Sequence, residues 1–173
     1  MTYATAKKIA EKYQAMLSPF CLRCEIAGSV RRRKPVCGDI ELVCIPRDDD
    51  FNLFVESSGR DQGFLSAVNS LHKIKGEPSG RYTQRLLPEE INGEQVKLDI
   101  FMTSEKGWGY IFAIRTGSDA FSKRLASQWS ALGYRGNGDH LIEKSSGKPA
   151  FFKEEGDLFR FLQMDFVDPE KRY

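Results

Sequence analysis

The stretch "GSVRRRKPVCGDIEL", residues 28–42, places a glycine–serine pair, four consecutive cations and two carboxylates spaced by one residue side by side. Its end runs into "DIELVCI", residues 39–45, which alternates without a break: Ile40, Leu42 and Cys44 fall on one side, Asp39, Glu41 and Val43 on the other. This is the pattern of an amphipathic strand with both acids on one face. Like charges at that spacing repel and raise a pKa. A hard divalent cation such as Mg2+, which takes oxygen ligands, removes the penalty, and two such ions bridged by carboxylates and phosphates suit a phosphoryl transfer. A third acid is then expected from another strand. Asp99 in "EQVKLDIFM", residues 94–102, is the natural choice, because an acid between Leu98 and Ile100 needs a partner. An Asp and a Glu on the solvated face of an edge strand are also common, so the neighbourhood has to decide. Gly28 and Ser29 can present backbone N–H groups and a hydroxyl to a phosphate. Arg31, Arg32, Arg33 and Lys34 add charge-assisted donors, with arginine offering bidentate geometry. Together these residues read as a site for a triphosphate and its metal ions.

The remaining chain supplies a mixed α/β frame. Residues 5–17 have helical apolar spacing through Ile9, Ala10, Tyr13, Met16 and Leu17. "CLRCEIAG" (21–28) reads as a strand, "FLSAVNSLHKI" (64–74) as a helix, and "GRYTQRLL" (80–87) as a strand that Asn92-Gly93 turns into residues 94–102. In the latter, Lys97, Asp99 and Phe101 share a face. Beyond "TSEKGWGY" come a helical stretch at 110–115, the turn "TGSDAF", and a helix over 122–134 striped by Leu125, Trp129 and Leu132. "LIEK", "GKPAFF" and a final short helix around 154–164 complete the chain. The change of character near residue 106 predicts a larger α/β lobe before it and a smaller α+β lobe after it.

Composition narrows the class. With 40% hydrophobic and 29% charged residues the chain is globular rather than disordered, and 173 residues suffice for one domain or two small lobes. A net charge of +2 does not mark a polyanion binder, so any basic surface must come from clustering. The opening "MTYATAKKIAEKYQAML" is too charged for a signal-peptide core, and no run approaches the roughly 20 apolar residues of a membrane span. A cytoplasmic, nuclear or viral compartment is expected, not secretion or membrane attachment. Of the four cysteines, Cys21, Cys24, Cys37 and Cys44, only "CLRC" has metal-like spacing. Zinc would want a second pair or nearby histidines, and His72 and His140 lie far away in sequence. A Cys21–Cys24 disulfide is a further reading, and buried small hydrophobes are the default.

"GSVRR" followed by "GDIEL" resembles the Gly-Ser plus Asp-x-Asp/Glu signature of the DNA polymerase beta nucleotidyltransferase superfamily. That signature also fits poly(A) polymerases, tRNA-end-adding enzymes and antibiotic nucleotidyltransferases. "TGSDAFSKRLASQWSALGY" is narrower: it resembles the thumb of family X DNA polymerases, and "VKLDIF" stands where that family has its third carboxylate. The resemblance implies an α+β fold, a nucleotidyltransferase palm (1–105) whose mixed β-sheet is flanked by helices, and a small α+β thumb (106–173). It implies that Asp39, Glu41 and Asp99 hold two Mg2+ ions, with Mn2+ as a substitute, and that Asp99 assists the primer hydroxyl. Gly28, Ser29, Arg32 and Gly38 would hold the triphosphate, while Gly117, Ser118, Asp119 and Ser122 line the nucleotide pocket. Lys97, Lys123 and Arg124 would meet DNA. The chain departs from the family pattern at Glu41, where Asp is usual, and at Ile114 and Arg115, where an aromatic pair is frequent. Ser122 and Ala126 replace a frequent Asn and Arg, which predicts weak base selection. The length resembles reduced palm-plus-thumb polymerases of some viruses, without room for lyase or fingers domains.

The expected activity is a monomeric DNA-directed DNA polymerase-like nucleotidyltransferase, extending 3′-hydroxyl ends at DNA gaps from nucleoside triphosphates, with pyrophosphate release and low fidelity. Template-independent addition to RNA or DNA ends is the alternative within the enzyme class. A non-catalytic nucleic-acid binder is the alternative outside it. Trp108 and Tyr110 could stack on bases or pack at the lobe junction, and Arg81 and Arg85 could face a DNA backbone or solvent.

Overall fold

The computed structural model describes residues 1–47 and 63–173. Helix α1 (Tyr3–Leu17) is capped by Thr2, whose Oγ1 accepts the Thr5 N–H at 3.3 Å, and buries Ala6, Ile9, Ala10, Tyr13 and Leu17. A 3-10 turn with Pro19 follows, then strand β1 (Cys21–Ile26), the single-turn helix α2 (Gly28–Arg31) and strand β2 (Ile40–Pro46). Helix α3 (Phe64–Asn69) precedes strands β3 (His72–Gly76), β4 (Tyr82–Ile91) and β5 (Glu94–Met102). These five strands form one sheet in the order β1-β2-β5-β4-β3, in which β2 and β5 run parallel and every other pair antiparallel.

The alternation of β2 and β5 divides the sheet's two faces. Ile40, Leu42, Cys44, Leu98 and Ile100 are wholly buried on one face, against α1 and α3; a side chain the size of Leu or Ile contributes roughly 1.5–3 kcal/mol when fully buried. The opposite face carries Val43, Ile45 and Phe101, which meet Trp108 and Phe112 of helix α4 (Trp108–Thr116). The polar end of this same face is where Glu41 and Asp99 lie.

Helix α5 (Asp119–Ala131), the antiparallel strands β6 (Tyr134–Asn137), β7 (His140–Glu143) and β8 (Pro149–Ala150), and helix α6 (Glu155–Phe161) enclose a separate core. Its centre is Phe121, Leu125, Leu141, Leu158, Phe159 and Leu162. Among the described residues no helix is long and apolar enough to cross a membrane.

Several elements differ from the sequence reading. The helix expected over 64–74 stops at Asn69, because His72–Gly76 instead pairs with β4 as an edge strand, all of it exposed. Strand β4 runs on through Pro88, tolerated because the ladder is irregular between Leu86 and Glu90. Strand β6 begins at Tyr134, the residue expected to end a helix, and α5 begins earlier, at Asp119, where the Ser118 hydroxyl caps it by accepting the Phe121 N–H at 3.1 Å. Arg85 faces neither DNA nor solvent: only 2% exposed, it donates to Thr83 Oγ1, Asn69 Oδ1 and the Leu71 carbonyl. Trp108 and Tyr110 pack in the two cores of this region rather than projecting from it.

Candidate active site

The site is assembled by strand register. In the parallel β2–β5 pair Glu41 lies opposite Asp99, and Asp39 stands just before β2 on the same side. On the other flank of β5, Gln84 is the cross-strand partner of Asp99. Gln84 Nε2 donates to Asp99 Oδ1 at 2.8 Å, and the Tyr82 hydroxyl donates to the same oxygen at 2.6 Å. Burial and this bond to Asp99 raise the Tyr82 pKa, so the phenol stays a proton donor. Its ring stacks on Phe101, with centroids 5.0 Å apart. Sequence reading passed over both residues. Their alternation in "GRYTQRLL" is visible, but their register against β5 is not.

The three acids feel one another. Burial, then the charge of Asp99, raises the Glu41 pKa to about 7 against the opposing pull of Arg32 and Arg115. Burial and Asp99 also raise Asp39, which Lys97 partly offsets. These acids are oxygen donors of the type that hard divalent ions take, and their repulsion is only partly compensated by protein cations, although their carboxylate oxygens do not all lie within 4.8 Å of one another. Asp39, Glu41 and Asp99 are the residues that could hold them. A cleft of about 420 Å3 opens beside Asp39, Gly38 and Lys97.

Gly28 is required by close approach. Its φ is 59°, and a Cβ there would lie 1.5 Å from Glu41 Oε2, so the acid folds directly against the glycine backbone. The Ala27 N–H donates to the Glu41 carbonyl at 2.9 Å, which ties the glycine–serine turn to β2. The cations after it serve different ends. Arg31 makes a forked bond to Glu155, at 2.8 and 2.7 Å, donates to Thr116 Oγ1 at 2.6 Å and stacks over Phe112. Arg32, 8% exposed, donates to the Thr116 carbonyl at 2.5 Å, while its Nε has no hydrogen-bond partner among the described residues. Arg33 pairs with Glu170 in an exposed bridge worth little.

Through Thr116 these arginines tie the 28–32 turn to the end of α4, next in the chain to Gly117 and Ser118. Arg115 lies over the Phe101 ring at 4.0 Å, close enough to influence both Glu41 and Tyr82, and is thereby placed at the edge of the carboxylate cluster. The rest of the thumb set is engaged locally. Ser122 Oγ donates to the Ile114 carbonyl at 2.8 Å, and Lys123 pairs with Asp119 at 2.6 Å in an exposed bridge. Arg124 is exposed beside the Phe121 ring. The structure therefore gathers Gly28, Arg32, Asp39, Glu41, Lys97, Asp99 and Gly117 around one region, while Lys123 and Arg124 line the outer surface of α5.

Residues 112–173 match the family described as DNA polymerase beta thumb. The fold is similar to the crystal structure of Leishmania infantum polymerase beta in a ternary P/T complex, with a TM-score of 0.73 and 18% identity over all of this chain and 76% of that one. No curated protein sequence matches the chain.

Proposed function

We propose that the chain is a family X DNA polymerase-like nucleotidyltransferase that extends a 3′-hydroxyl end of gapped DNA, a reading supported by the thumb-family match over residues 112–173 and by the shared fold. The observation that carries the reading is the facing of Glu41 and Asp99 across β2 and β5, with Asp39 beside them and Gly28 packed on Glu41. We read residues 1–105 as palm and 106–173 as thumb, a division supported by the second core that Tyr110 and Ala113 of α4 share with α5 and α6.

Asp39, Glu41 and Asp99 would hold two Mg2+ ions, which when bound make the 3′ hydroxyl a better nucleophile and neutralise the charge of the triphosphate. Asp99, fixed on one oxygen by Tyr82 and Gln84, has its other oxygen left for a metal ion and would orient the primer end. Gly28, Ser29 and Gly38 offer backbone to the phosphates, and the unpartnered Nε of Arg32 adds a charged donor beside them. Gly117 and Ser118, held against α2 by Thr116, form the floor on which the nucleotide rests. Lys97 sits by Asp39 at the primer side, and Lys123 and Arg124 face the DNA. Because phosphoryl transfer rests on positioning and charge, no nucleophilic Ser or Cys is assigned.

The testing experiment is primer extension on gapped, nicked and single-stranded DNA, with deoxy- and ribonucleotides, in Mg2+ and in Mn2+. Metal-dependent extension, strongest on the gap, is the expected result. Binding of DNA without extension on any substrate would leave a non-catalytic binder. Extension independent of template is the second reading, favoured by the Ser122 hydroxyl, which is spent on the Ile114 carbonyl rather than free for a base.

Tyr82→Phe keeps the ring on Phe101 and removes only the bond to Asp99. The expected outcome is a drop in extension rate of about tenfold, equivalent to ~1.4 kcal/mol, with KM for the nucleotide and the melting temperature little changed. An unchanged rate would show that Gln84 alone positions Asp99.

A further inference from the structure

The sheet face opposite Glu41 and Asp99 carries a second concentration of chemistry. Cys24 and Cys44 are cross-strand partners in the antiparallel β1–β2 pair. Cys21, three residues from Cys24, would point to the other face of a regular strand. The register shift between Cys21 and Arg23 turns it back. The three sulfurs consequently lie within 4.8 Å of one another, and Cys44 Sγ donates to Cys24 Sγ at 3.5 Å. All three residues are buried, and none of the four cysteines is in a disulfide.

Metal–sulfur bonds of ~2.3 Å separate thiolates sharing one ion by about 4 Å, so these sulfurs need only small shifts to close on one.

We propose that Cys21, Cys24 and Cys44 form a buried three-sulfur site for a thiophilic d10 metal ion of the Zn2+ or Cu+ kind, which ties β1 to β2 behind the strand that carries Glu41. Binding displaces thiol protons to solvent, up to three per ion, and forms a metal–sulfur bond in place of each S–H; no electron is transferred. The cluster contains no fourth His, Cys, Asp or Glu ligand among the described residues. Such a shell satisfies three-coordinate Cu+ more readily than Zn2+, which prefers four ligands.

The test uses the full chain, reduced and freed of metal. Cd2+ as probe should produce ultraviolet sulfur-to-metal charge-transfer absorption that saturates at a single ion per chain, raise the melting temperature and protect three of the four thiols from alkylation. Competition with Zn2+ and with Cu+ then ranks the two natural ions, and displacement of Cd2+ by either supports the site. Cys37→Ala should bind as the parent does, whereas Cys21→Ser, Cys24→Ser and Cys44→Ala should each lose roughly 100-fold or more in affinity. Replacing the site cysteines at three different positions guards against a variant that fails to fold. Absence of the absorption band, its survival in the folded cysteine variants, or a Cys24–Cys44 disulfide with no metal uptake by the reduced chain would overturn the proposal. None of these outcomes depends on nucleotidyl transfer.

Discussion

Asp99→Asn should lower metal-dependent primer extension by about 10²–10³-fold or more while leaving the fold in place. The substitution keeps the shape of the side chain and an oxygen that still accepts from Tyr82 and Gln84. What it removes is the negative charge beside Glu41 and Asp39, and with it the oxygen that would serve a hard cation. Loss of that charge also relieves repulsion within the cluster, so the melting temperature should be equal to that of the parent or slightly higher. Extension at the parental rate in this variant, measured on gapped DNA in Mg2+, would remove Asp99 from the chemistry and with it the proposed mechanism.

Glu155→Gln should strongly destabilise the fold. Glu155 accepts the forked bond of Arg31 and, at 2.5 Å, a bond from Arg172, whose side chain is 0% exposed. Removing the acid leaves two guanidinium groups facing each other with little water to screen them. Breaking a buried pair this way costs about 3–5 kcal/mol, or roughly 6–20 °C in melting temperature for a chain of this size. Burial by itself would raise the Glu155 pKa, but the bonds and charges of Arg31 and Arg172 outweigh it and hold the acid below its ordinary value. A depressed carboxylate contributes fully above its unfolded pKa of ~4.3 and loses that contribution as the pH falls through the folded value. The gap in melting temperature between parent and Glu155→Gln should therefore be widest near neutrality and close in acid. A gap that persists unchanged at low pH would mean that packing, and not the ion triad, is what the substitution disturbs. Because Arg31 belongs to the same turn as Gly28 and Arg32, the variant should also weaken nucleotide binding.

The carboxylate strand was legible because its physics is local. Alternation along "DIELVCI" is set by the period of a strand, so Ile40, Leu42 and Cys44 turn to one face, against α1 and α3, and Glu41 to the other, beside Val43 and α4. Asp99 was legible for the same reason, as an acid flanked by two residues that are wholly buried. The glycine–serine turn and the thumb segment carried enough particular residues to indicate a fold that the structure then displays. By contrast, the cations of residues 31–34 look equivalent in the chain and are not. Arg31 is locked to Glu155, Arg32 to the Thr116 carbonyl and Arg33 to a surface acid. Those distinctions arise from elements more than 80 residues away in the chain for Arg31 and Arg32.

Local alternation along the chain was enough to establish the acidic face and the amphipathic strands, since both depend on neighbours one to four residues apart. Tertiary structure alone chose the partners. Counting back from the Asn92-Gly93 turn along a regular ladder would set Gln84 opposite Phe101; the irregularity between Leu86 and Glu90 moves it opposite Asp99 instead. The shift in β1 likewise brings Cys21 beside Cys24, and pairing with β2 adds Cys44 to them. Bulges and pairings across strands follow from the packing of the whole sheet, which the order of residues within one segment does not encode.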